Sequence, residues 1–160
     1  MWYAYAIGFA YALIAGQLVL RCIMSRMWDC IERQPEAQEY MALERGKKTD
    51  LWQPPITGTV ERTLYVCSLL MGYGEFIGLW LVLKVTVAYP LWSKARSGRT
   101  IYMCSLIGSA LSVLYAGVGF QMIKWIEAEK WFAAVTVPTL LLLGTGGVLR
   151  NYLGKHKKTT

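Results

Sequence analysis

Histidine is nearly missing from this chain. Its one copy, His156, lies in a basic C-terminal tail, so Ser-His-Asp or Cys-His chemistry has no base in the apolar body and haem has no imidazole ligand there. Acids are scarce too, ten against seventeen Lys and Arg. Five of them, Asp29, Glu32, Glu36, Glu39 and Glu44, are interleaved with Arg and Gln like a solvated helix surface, not clustered as a metal-dependent lipid enzyme would need. The four cysteines (Cys22, Cys30, Cys67, Cys104) form no C-x-x-C pair and make no zinc site, and the three in or beside apolar runs read as small hydrophobes. A phosphate loop is lacking as well. Gly46-Lys47 is followed by Lys48 where Ser or Thr is required, and Met41 stands where the earlier glycine should be. The net charge of +7 comes without a basic-aromatic module, which argues against nucleic acid. The sequence thus offers no catalytic residue set, no metal site and no cofactor.

What is abundant is apolar length. Hydrophobic residues make up 55% of the 160 residues, in runs of about 20, the signature of membrane-spanning helices. Seven Trp and ten Tyr accompany them. Many stand where such runs meet water: Trp2, Tyr3, Tyr5, Trp28, Tyr89, Trp92, Trp125, Trp131 and Tyr152, an interfacial belt. The expected fold is an all-α integral membrane protein, a bundle of four hydrophobic helical segments at about 2–23, 62–88, 101–123 and 131–149. A cytoplasmic loop (24–59) carries a short helix between Pro35 and Gly46, and residues 154–160 form a basic flexible tail. Arg21 and Arg26 follow the first segment with no basic residue ahead of it, which predicts an uncleaved anchor with the N-terminus outside, in a bacterial-type inner membrane.

Small residues recur at four-residue intervals: Gly8, Ala12 and Gly16 on the first segment, Gly108, Ser112 and Ala116 on the third. With Gly72 and Gly78 on the second, they predict close helix packing, within the chain or between copies. Arg21, Arg45, Lys47, Lys48, Lys94, Arg96 and Arg99 are expected at lipid head groups.

Charge distribution leaves two topologies open. Four regular crossings put Lys94, Arg96, Arg99 and the basic tail outside and give only a weak positive-inside bias. If the second segment re-enters, turning at Gly72-Tyr73-Gly74, the first loop, the second linker and the tail all become cytoplasmic, leaving only the balanced KWIEAEK turn outside. Span length favours the plain crossing.

Glu75 is the candidate chemical centre. Placed near the middle of an apolar run, a carboxylate costs roughly 2.5–3.5 kcal/mol by insertion scales. Tyr11, Ser112 and Thr139, near the centres of their own segments, are its candidate partners, and Lys84 is expected to snorkel to the interface. The leading expectation is an assembly or accessory subunit, self-associating or bound to a larger membrane partner. Next come a proton- or cation-coupled channel or transporter using Glu75, then a membrane-embedded lipid enzyme.

Overall fold

The computed structural model describes residues 2–32, 53–92 and 98–156, and every regular element in them is helical. The chain opens with one long rod: α1 (Trp2–Ala10), a π-helical segment (Tyr11–Ala15) and α2 (Gly16–Glu32). There follow α3 (Gln53–Leu70), α4 (Glu75–Trp92), α5 (Gly98–Glu127) and α6 (Trp131–His156). The described residues therefore make five rods. Within them Trp2–Met27 and Tyr102–Glu127, 26 residues each, are long and apolar enough to cross a membrane. At 1.5 Å per residue each reaches about 39 Å, against roughly 30 Å of hydrocarbon.

The second apolar segment is not one span. The chain breaks at Met71–Gly74, where Gly72 takes φ +80°, and it reverses there. Glu61 of α3 bonds Lys84 of α4 across the break, and the midpoint of those two positions falls between Gly72 and Tyr73. The result is an antiparallel helical hairpin. Its limbs have 18 residues each, about 27 Å, because α3 extends back to Gln53 through the polar stretch TGTVERT. A single span over 62–88 with Glu75 at its centre is thereby corrected. Two glycines around Tyr73 stop the helix, and the carboxylate opens the next one.

α5 is the hub of the bundle and packs against every other rod. Its contact with the first rod is antiparallel: Tyr5 lies beside Glu127, Gly8 meets Gly119 and Ile123, the rings of Tyr11 and Tyr115 meet at a tilt, and Met24 meets Gly108. A Cβ on Gly8 would stand 2.6 Å from the Gly119 carbonyl oxygen, so this crossing exists only because both positions lack side chains. α6 runs back alongside the first rod, with Tyr3 stacked on Trp131 and the Tyr11 hydroxyl donating to the Pro138 carbonyl at 3.3 Å.

One apolar cluster gathers Ala4, Ile126 and Ala134 with Leu69, Leu70 and Ile77, the residues flanking the hairpin turn. The turn is therefore at the end of the bundle where the chain begins and where α5 hands over to α6. A smaller cluster, Cys104 with Met24 and Met27, closes the opposite end. The expected short helix at 35–46 and the residues Arg45, Lys47, Lys48, Lys94 and Arg96 lie outside the described residues.

Candidate functional site

Charge is concentrated half-way along the hairpin. Glu61 and Arg62 are buried side by side in the middle of α3, Arg62 with no accessible surface. A fully buried arginine needs a stated reason, since such groups are almost never buried unless paired. The helix presents the two residues to different neighbours. Glu61 faces α4 and α5: the Lys84 ammonium reaches both of its carboxylate oxygens, at 2.8 and 3.1 Å, and also donates to Ser109 Oγ at 2.9 Å. Arg62 faces the first rod, where its Nη2 donates to Gln17 Oε1 and its Cδ lies over Gly16. The π-helical segment ends immediately before Gly16 and Gln17, so the helical irregularity sets the register of the two residues that receive the guanidinium.

Glycine again makes the space. A Cβ on Gly16 would lie 3.0 Å from Arg62 Cδ and 3.2 Å from Tyr115 Cβ, while one on Gly58 would lie 3.4 Å from Arg62 Nη1. The remaining donors of Arg62, Nε and Nη1, have no hydrogen-bond partner, and neither has the Tyr65 hydroxyl one turn further along α3. Both side chains are fully buried. The cluster therefore holds two cations and one carboxylate, and that carboxylate is already engaged by Lys84.

No protein-family model matches this chain, and no curated protein or solved structure is significantly similar to it. The site must be read from its own chemistry.

Glu75 is placed elsewhere. It is exposed in the first turn of α4, about 14 Å along the helix from Lys84. There it lines an open groove of about 570 Å³ at the hairpin tip, together with Leu64, Cys67, Ser68, Tyr73 and Phe76. Tyr11, Ser112 and Thr139 are not among the groove's lining residues. Tyr11 is bonded to Pro138 with its ring tilted against Tyr115, Ser112 is buried on α5, and Thr139 donates to the Val135 carbonyl of its own helix. A carboxylate at a helix N-terminus beside water needs no such partners, because the helix dipole favours it there.

Of the small residues marked for packing, Gly8, Ala12, Gly16, Ser112 and Ala116 are buried, and Gly108 lies 3.5 Å (as a Cβ position) from Met24 Sδ. Gly72 is a turn residue, and Gly78 has nothing within 4 Å. Arg21 is exposed near the middle of the rod's second half. Among the described residues no group of three or more His, Cys, Asp or Glu is placed to hold a metal ion.

The residues that sequence reasoning does not assign to a site are Gln17, Glu61, Arg62 and Ser109, and it assigns Lys84 to the interface. Lys84 is not a snorkelling residue: its carboxylate partner is a hairpin away in sequence and opposite it in space. The available signal was the symmetry of Glu61 and Lys84 about the Gly72-Tyr73-Gly74 break.

Proposed function

We propose that this chain is a five-crossing inner-membrane protein with its N-terminus outside, acting as an assembly or accessory subunit. It associates with itself or with a larger membrane protein. Charge placement supports the membrane topology. Of the seventeen Lys and Arg, Arg62 and Lys84 are inside the bundle, and Lys124 and Lys130 belong to the end with the hairpin tip. Arg21, Arg26, Arg99, Arg150 and Lys155, the remaining basic residues among those described, lie in the opposite halves of α2, α5 and α6. A charge asymmetry of this size satisfies the positive-inside rule, with the basic end cytoplasmic. Pairing within the bundle lets α3 and α4 sit in the membrane despite Glu61, Arg62 and Lys84, since intramembrane charges are tolerated when they face the interior and one another.

The observation carrying the subunit reading is on α6. Gly144, Gly146 and Gly147 are exposed and have no neighbouring atom within 4 Å, beside the outward Leu140 and Leu143. Glycine in a helix costs roughly 1 kcal/mol relative to alanine. Where this bundle uses glycines at Gly8 and Gly119, they admit another backbone. The α6 glycines offer the same close approach to a helix from outside the chain.

The test is mass in detergent. The protein should run well above 18.1 kDa plus its micelle, or co-purify with another chain, and Gly144→Leu with Gly147→Leu should return it to a monomer. A wild-type monomer with no companion would remove the proposal. Coupled ion or proton transport through Glu75 is the second reading, supported by its carboxylate opening onto the tip groove. It requires a pH-dependent flux in liposomes that Glu75→Gln abolishes.

A further inference from the structure

The buried cluster has one cation too many. Lys84 takes up the carboxylate of Glu61, while Arg62 has only the neutral amide oxygen of Gln17. Among the described residues no carboxylate is bonded to Arg62, and Glu61 beside it is shared with Lys84, so the cluster of two cations and one carboxylate carries one positive charge in excess. Its level is set by Gly16 and Gln17, close to the middle of the Trp2–Met27 span. An unpaired charge at that depth is costly, and an unpaired buried donor calls for an explanation such as an ion or ordered water.

We propose that Arg62 and Tyr65 bind a small monovalent anion of the halide class inside the bundle. Three buried donors on this part of α3 have no protein acceptor: Arg62 Nε, Arg62 Nη1 and the Tyr65 hydroxyl, which is three residues on and so on the same helical face. All belong to side chains with no accessible surface. Each free group can donate, none carries negative charge, and the one nearby carboxylate is committed to Lys84, so the chemistry favours an anion over a cation. A halide supplies the missing unit of charge, whereas a water molecule would satisfy the hydrogen bonds and leave the charge. Gly16 and Gly58 flank the guanidinium with backbone alone, keeping side-chain bulk away from it.

The experiment is thermal unfolding of the whole chain in detergent, followed by tryptophan fluorescence, with chloride titrated against gluconate at constant ionic strength. The expected result is a saturable rise in Tm, roughly 4 °C at about ten times the Kd, with bromide replacing chloride. Tyr65→Phe removes one O–H donor and should weaken the apparent Kd about tenfold without removing the response. Arg62→Gln should abolish the anion dependence. Equal Tm values for the wild type in chloride and gluconate would overturn the proposal and leave water as the occupant. So would a halide response that Tyr65→Phe leaves at wild-type strength. Should Arg62→Gln fail to fold, the wild-type titration and Tyr65→Phe still decide.

Discussion

The hairpin carries two carboxylates in opposite circumstances. Glu61, half-way along α3, is buried and held by Lys84, which is itself bonded to Ser109 of α5. Glu75, at the tip, is exposed on an open groove at a helix N-terminus. By hydropathy Glu75 is the misplaced charge, while Glu61 stands just ahead of the apolar run. The fold reverses them. The lesson is that the cost of a membrane charge is set by the partners that other helices bring to it, and a linear window does not contain those partners.

The largest break in that comparison is at Glu61. Replacing it with Gln leaves the Lys84 ammonium facing a neutral group. The expected loss is about 3 kcal/mol, the lower end for a buried pair because the Lys84 side chain keeps 31% of its exposure. Unfolding in mixed SDS and dodecyl maltoside micelles measures it. The double variant Glu61→Leu, Lys84→Met removes both charges and should recover to within about 1 kcal/mol of the wild type. If the single and double variants fall equally, the pair is not what holds the hairpin.

Next is Gly8→Ala, with an expected cost of about 2 kcal/mol in the same assay. The added methyl group meets the Gly119 carbonyl oxygen, which cannot rotate away as a side chain could. Gly78→Ala is the matched control, since nothing lies within 4 Å of it and helix propensity alone should act, by no more than about 1 kcal/mol in the stabilising direction.

These two glycines show how unevenly the fold could be read. The first rod and α5 were legible because unbroken apolar runs of the right length, with Gly8, Ala12, Ser112 and Ala116 at helical spacing, admit few other structures. The hairpin was hidden for two reasons. Leu64–Ala88 looks like one span because a turn of four residues barely dents its hydropathy, and residues 53–63 look aqueous because their charges are counted without partners. Gln17 and Ser109, which meet that cluster, are ordinary polar residues on distant rods. The uneven placing of Lys and Arg along the chain, and the spacing of Glu61 and Lys84 about the break, are what point to a reversal at Gly72-Tyr73-Gly74.

That reversal is testable at Gly72. Its φ of +80° is accessible to glycine and strained for any residue with a Cβ, so Gly72→Ala should cost about 1 kcal/mol although it clashes with nothing. Gly74→Ala, whose new methyl would sit 3.9 Å from Leu69, should cost less. Equal effects at the two positions would mean that the turn is not fixed by the left-handed residue.

The smallest effect should come from the carboxylate at the hairpin tip. Glu75→Gln keeps the shape, exposes the same surface and loses only the favourable interaction of a carboxylate with the α4 N-terminus, a few tenths of a kcal/mol at an exposed site. Stability and assembly should therefore be indistinguishable from the wild type within about 0.5 kcal/mol, in contrast to Glu61→Gln. A loss at Glu75 approaching that at Glu61 would show that the tip groove is covered in the membrane by something that pairs with the carboxylate. The quiet result would confine the structural charge of this hairpin to its middle.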